Sequence, residues 1–237
     1  MYWFMQGLCA LPAFLVVWSS ATFIVSYIIA IYNNDVDVIF PYISDTGVNP
    51  PESCIFGLMT FISACAGVAT IYARYKHVDK LREDNRCDVN SCLNKTALWF
   101  GEISCFGMCI VATFQETTLQ AVHDCGAMMF FLCGIVYIIL QCFISFYAYP
   151  HGCSKNLFHV RVSIATLAFV AFFPTVICAF YVKQTELHRH KDDKDYPFHV
   201  ASAVCEWIVA FSFVFFFFTY IHDFKFFTLR VETEFEG

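Results

Sequence analysis

Carboxylates and imidazoles standing at the edges of long apolar runs are the residues of this chain that could do chemistry. Asp45, Glu52, Gln115, Glu116, His123, Asp124, His199 and Glu206 all fall at corresponding ends of such runs, so the fold can gather them into one polar cluster. Carboxylates beside imidazoles suit proton transfer or a pH-sensing pair. No nucleophile–base pair, metal-ligand spacing or nucleotide-binding loop accompanies them. No catalytic residue, metal ligand or cofactor is therefore expected. Two carboxylates lie deeper, Glu102 and Glu206, each about two helical turns inside its run but from opposite ends. A charge at such depth is costly and is by default a functional candidate. The plainer assignment is a carboxylate bonded to Ser, Thr or backbone inside a helical bundle.

The elements that must position these groups are membrane spans. Of 237 residues, 59% are apolar and only 14% charged, against roughly 25% charged in soluble domains. Mean hydropathy is +0.60. So few charges cannot cover a soluble fold of this size, whereas lipid tolerates an apolar exterior. Six stretches reach the ~20 apolar residues a spanning helix needs, at about 8–32, 55–75, 95–115, 121–147, 159–182 and 198–222. The last contains Phe213-Val214-Phe215-Phe216-Phe217-Phe218, too uniformly apolar for the surface of a soluble protein. The expected fold is an all-α, polytopic six-helix bundle, with residues 1–237 forming a single membrane domain. The first span has no basic segment before it and reads as a retained anchor.

Orientation follows from basic residues near the span ends. Ten lie on one side: Arg74, Lys76, Lys80, Arg82, Arg86, Lys95, Lys155, Arg161, Lys225 and Arg230. Four lie on the other: Lys183, Arg189, Lys191 and Lys194. This places both termini in the cytosol and the polar cluster on the luminal or extracellular face. The sequon Asn94-Lys95-Thr96 then falls on the cytosolic side, out of reach of glycosylation. A net charge of −6 excludes nucleic acid as a partner class.

Most of the 13 cysteines lie in apolar runs and read as packing residues. Cys87 and Cys92 suit S-acylation better than metal binding. Cys54 and Cys125, both near the luminal face, are close enough in depth to pair. Gly101 with Gly107, and Gly126 with Gly134, mark close helix packing. Asp45-Thr46-Gly47 occurs in aspartic proteases, but there it needs a second copy in a β-rich setting. It reads here as a turn, with Asp45 bonding locally and Gly47 at a positive φ. Pro50 and Pro51 stiffen the approach to span 2, and Glu52 suits the positive end of its helix dipole. Tyr75-Lys76-His77-Val78 fits a short tyrosine sorting pattern, and Phe226-Phe227-Thr228-Leu229 has the spacing of autophagy-adaptor peptides.

Several runs together resemble the family of DNA damage-regulated autophagy modulators (DRAM), within the wider Frag1/DRAM/Sfk1 superfamily. They are Trp18-Ser19-Ser20-Ala21-Thr22-Phe23-Ile24, Pro41-Tyr42-Ile43-Ser44-Asp45-Thr46-Gly47, Pro50-Pro51-Glu52-Ser53, Cys105-Phe106-Gly107-Met108, Phe114-Gln115-Glu116, His123-Asp124, Gly126-Ala127, Cys205-Glu206-Trp207 and Thr228-Leu229-Arg230. The short tail is more like that of the founding, stress-induced member than that of its longer-tailed paralogue. Thr113 departs from an expected Asn, and Glu102 from an expected apolar residue. The resemblance implies a six-span lysosomal membrane protein that promotes autophagy and links stress signalling to apoptosis, acting without catalysis through membrane lipids and autophagy or lysosomal membrane proteins. The wider superfamily includes proteins of GPI-lipid remodelling and phosphoinositide-kinase recruitment. A lipid-handling protein using the cluster is therefore the first alternative, and should show a cavity opening to lumen or bilayer. A small-solute or proton channel is the second, and needs a polar path joining Glu102 to Glu206.

Overall fold

The computed structural model describes residues 7–182 and 186–229, with Phe226 described in its backbone only. Lys183 and Arg230, both counted in the charge asymmetry, lie outside the described residues. Six long helices cross the molecule: α1 Ala10–Tyr32, α2 Glu52–Glu83, α3 Ser91–Thr113, α4 Gln120–Tyr147, α5 Lys155–Ala179 and α6 Tyr196–Phe218. A short α7, Tyr220–Asp223, continues α6. No strand occurs among the described residues. All six long helices are long and apolar enough to span a bilayer. Their outward faces carry Val17, Ile28, Leu58, Phe106, Phe143, Val170 and Phe215, all exposed, as suits helices whose solvent is lipid.

Helix starts follow local chemistry. Asn90 Oδ1 accepts the Cys92 N–H at the head of α3 (2.7 Å), and Ser154 Oγ accepts the Leu157 N–H at the head of α5 (3.3 Å). Helix α2 runs well past the apolar stretch at 55–75. Residues 76–83 are polar but helix-forming, and Lys80–Asp84 and Arg82–Asp79 pairs line their outer face.

The helices form a ring in chain order. Each packs on its neighbours, and α6 closes onto α1. The α3–α4 contact is tightest where Gly107 faces Gly126: a Cβ on Gly107 would lie 2.6 Å from the Gly126 carbonyl oxygen. Ser104 Oγ also donates to the Phe130 carbonyl (2.8 Å). Ser202 Oγ joins α6 to the Thr175 carbonyl of α5 (2.6 Å), and Trp18 Nε1 joins α1 to the Met59 carbonyl of α2 (3.0 Å). The α4–α5 seam, like the α6–α1 seam that closes the ring, is looser than the others. Beside it runs an apolar groove of about 540 Å³ lined by Phe143, Phe146, Phe158, Val162 and Phe169.

The two termini meet at one end of the bundle. The Leu8 N–H donates to the Phe224 and Phe227 carbonyls (3.1 and 2.9 Å), and the Cys9 thiol donates to the Ile221 carbonyl (3.0 Å). At this end two residues counted as flanking charges prove to be interior. Arg74 and Arg161 are fully buried and share one carboxylate, Asp223 Oδ2, at 2.8 and 2.5 Å. Arg161 also donates to Ser145 Oγ (2.8 Å) and Thr219 Oγ1 (2.9 Å), and Arg74 Nε to Gln141 Oε1 (3.2 Å). The Tyr220 ring lies under both guanidiniums at 5.4 and 5.1 Å. The arginines are buried because a carboxylate from α7 reaches them, which local sequence does not announce.

Other expectations change. Asn94 is buried and donates from Nδ2 to the Tyr75 carbonyl (3.0 Å), so the sequon belongs to the α2–α3 interface. The tyrosine pattern lies inside α2 with Val78 fully buried, and no extended peptide can be offered there. Cys54 and Cys125 are free, exposed thiols, because α3 packs between their helices.

Candidate functional site

At the opposite end, the middle of the segment 33–51, residues 41–48, does not lie over the bundle as a surface loop. It folds inward, and Tyr42, Ile43, Asp45, Thr46, Gly47 and Val48 are all buried. A single 3₁₀ turn, Asp45–Gly47, lets it reverse within the mouth of the ring. The Tyr42 N–H donates to Asp45 Oδ2 (3.1 Å), and Thr46 Oγ1 donates to the Ile43 carbonyl (2.7 Å). Asp45 thus bonds locally, as expected. Gly47 does not take a positive φ, which among described glycines belongs to Gly7 alone. Gly47 is required for space: a Cβ there would lie 2.5 Å from the Phe56 ring.

Helices α1 and α6 and two connecting segments anchor this plug. Glu206 Oε2 of α6 accepts the Ile43 N–H (3.1 Å), and Trp207 Nε1 donates to the Pro41 carbonyl (2.9 Å). Glu116 Oε2, in the α3–α4 turn, accepts the Ser44 hydroxyl (2.8 Å). Ser26 of α1 bonds Thr46 Oγ1 (3.0 Å), and Tyr27 donates to the Val38 carbonyl (2.8 Å). From the α5–α6 loop, the Arg189 N–H and His188 Nδ1 reach Asp37 (2.7 and 3.2 Å). His199 meets the Tyr42 ring edge-on, at 4.9 Å between centroids.

Behind the plug, bounded by all six long helices, is a chamber of about 420 Å³. Its polar lining includes Tyr42, Glu116, His123, Asp124, Ser202 and Glu206. Phe23, Phe56, Phe130, Phe131 and Phe180 supply much of the apolar wall. His123 Nδ1 lies 2.7 Å from the Phe114 carbonyl. That contact assigns the proton to Nδ1 and leaves Nε2 as the basic nitrogen when the ring is neutral.

Electrostatics follow from burial. Burial first, then the Glu116 and Glu206 charges, hold Asp45 well above the ordinary carboxylate range. Glu116 is also pushed up, by burial, with His123 opposing. Burial likewise raises the Tyr42 hydroxyl.

Of the residues expected in the cluster, the chamber brings together Glu206, His123 and Asp124, with Glu116; Asp45 stands behind its wall. Glu52 goes elsewhere: it is buried at the start of α2 and accepts from Asn33 Nδ2 (3.2 Å). Gln115 is exposed, its Oε1 accepting from Thr118 (3.4 Å). Thr113 turns back to the Cys109 carbonyl (2.8 Å), away from any shared network. Glu102 is half-buried on α3 and absent from the chamber lining. Tyr42, Ser44, Ser202 and Trp207 are site residues that sequence reasoning missed. A signal for three of them existed, since Tyr42, Ser44 and Trp207 sit in runs that carry the family resemblance. Among the described residues, no His, Cys, Asp and Glu group is arranged to hold a metal ion.

Residues 7–227 match the family described as the Frag1/DRAM/Sfk1/Cwh43P N-terminal domain. The chain belongs to this family. It is 45% identical over 235 residues to DNA damage-regulated autophagy modulator protein 1 of Homo sapiens, covering 99% of this chain and 98% of that protein. It is 42% identical over 245 residues to DNA damage-regulated autophagy modulator protein 2 of Rattus norvegicus, covering 100% of this chain and 91% of the relative. It is 31% identical over 217 residues to the modulator of macroautophagy TMEM150B of Danio rerio, covering 91% of this chain and 84% of the relative. No solved structure matches. The matched region takes in both the plug and the chamber, so these belong to the family domain and are not an appendage to it.

Proposed function

We propose that this chain is a lysosomal membrane protein that promotes autophagy and couples stress signalling to cell death, acting through lipids and partner membrane proteins and not by catalysis. The observation that carries the reading is the near full-length similarity to proteins named as autophagy modulators. Both termini then face the cytosol, and the plug and chamber face the lumen, in keeping with the basic residues at the terminal end. The bonding of the acids favours a non-catalytic role: Glu206, Glu116 and Asp45 each accept a hydrogen bond from the plug, and His123 is bonded to a backbone carbonyl. Groups so engaged hold a conformation.

The test is autophagic flux in cells lacking the protein. Flux should fall on its loss and return on re-expression, with the protein in the lysosomal fraction. Unchanged flux, or a protein confined to another membrane, would overturn the reading. Purified protein incubated with lysosomal lipid extract should leave the lipid mass spectrum unchanged; a consumed lipid would overturn the non-catalytic part. The chamber favours a second reading, lipid handling, because it joins an aromatic wall to a polar head region within the membrane domain. A channel finds no support in Glu102, which does not line the chamber.

A further inference from the structure

We propose that the chamber behind the plug binds a single-chain amphiphile bearing a protonated primary amine, its ammonium among Glu116, Asp124, Glu206 and Tyr42 and its chain along the aromatic wall toward the α4–α5 seam. This goes beyond the autophagy reading and rests only on the chamber. Three features carry it.

The first is charge. Three carboxylates and one imidazole line the chamber, and among the described residues no Lys or Arg does. A fatty acid or a phosphate-bearing headgroup would find no Lys or Arg to pair with there, and would be repelled by any of the acids that is ionised. A neutral sterol or alcohol would leave the acids without a counter-charge. An ammonium brings three N–H donors and the opposite sign.

The second is an unused polar atom. Tyr42 is nine-tenths buried and lines the chamber beside Ser202, whose own proton goes to the Thr175 carbonyl, and its hydroxyl makes no hydrogen bond of good geometry within the protein. A buried hydroxyl without a partner costs stability, so it is expected to meet one when the chamber is filled. The phenol oxygen can accept an ammonium N–H, and its own proton can go to a carboxylate.

The third is shape. The chamber volume of about 420 Å³ lies within the roughly 300–1,000 Å³ of small-molecule sites. Its outer wall includes Met128 of α4 and Phe180 just beyond α5, both exposed. The chamber therefore reaches the lipid face between α4 and α5, one of the two loosely packed seams of the ring, and a chain can leave there.

The experiment uses purified full-length protein in neutral detergent and native mass spectrometry. Oleylamine, oleyl alcohol and oleate share one chain and differ only in headgroup; a lysophosphatidylethanolamine adds a phosphate to the amine. Oleylamine should give one saturable adduct, held about tenfold or more tighter than any of the others, as a charge-assisted bond requires. Glu206→Gln should weaken it about tenfold; the glutamine oxygen can still accept the Ile43 N–H, so the plug stays in place. Asp124→Asn, at a residue that takes no hydrogen bond from the plug, should weaken it as well and decides the matter if Glu206→Gln does not fold. Alcohol or oleate binding as tightly as the amine, or undiminished binding in Asp124→Asn, would overturn the proposal. Tightest binding of the lysophospholipid would assign the site to an ethanolamine headgroup and overturn the single-chain amine. Binding is read on purified protein and flux in cells, so failure of one is distinguishable from failure of the other.

Discussion

The two ends of this bundle handle buried charge in opposite ways. At the terminal end, Arg74 and Arg161 converge on Asp223, so each buried guanidinium has a direct counter-ion. At the plug end, Asp45, Glu116 and Glu206 take neutral donors instead: a backbone N–H, a serine hydroxyl and another backbone N–H. Ion pairs across α2, α5 and α7 make a lock. Carboxylates bonded to a loop make a latch whose strength depends on their protonation. The lock stands in packed protein with two tyrosines beside it, bonded to each other at 2.8 Å. The latch borders a chamber.

The comparison is broken most violently at the lock. Asp223→Ala leaves two guanidiniums buried without a counter-ion and should cost about 3–5 kcal/mol. Thermal unfolding in detergent should show a large fall, and an unchanged midpoint would mean that the pair is hydrated. At the latch, Gly47→Ala drives a methyl group into the Phe56 ring and should cost about 1–3 kcal/mol, read in the same assay. Glu206→Leu removes the acceptor of the Ile43 N–H and should cost about 1–3 kcal/mol, while Glu206→Gln should cost less, since its oxygen can still accept. Equal losses in the two Glu206 variants would mean that the charge, and not the hydrogen bond, holds the plug. At the bottom of the scale, Gln115→Ala should stay within about 0.5 kcal/mol, because that side chain is exposed.

How much of this was legible in the sequence differs between the ends for a physical reason. Helix α4 spans Gln120–Tyr147 where 121–147 was expected, because hydropathy marks lipid burial directly. Helix α2 overran its expected end because residues 76–83 are helical without being apolar. Glu206 was readable as an interior carboxylate bonded to backbone, since a lone acid in an apolar run must find a donor nearby. Arg74 and Arg161 were not readable as interior: each lies near a span end, where surface charge is ordinary, and Asp223 lies 149 and 62 residues away. The depth of the plug was equally hidden. The turn residues of 41–47 announce a reversal but not where it sits, and Gly47 looked like a conformational glycine when it is one that leaves room for a ring.

Protonation gives the latch its most direct test. A carboxyl whose pKa is raised on folding binds its proton more tightly in the folded state. Its contribution to stability is complete below the unfolded value and is lost as pH rises through the folded one. Asp45 and Glu116 are both raised, so the plug should be held more firmly in acid than at neutral pH, over a window running upward from the ordinary carboxylate range. The measurement is hydrogen–deuterium exchange of the Tyr42 and Ile43 amides in the full-length protein, corrected for intrinsic rates, in acidic and in neutral buffer. The latch predicts greater protection of both amides in acid, with the gain reduced in Glu116→Gln. Protection that is equal at the two pH values, or greater at neutral pH, would contradict it.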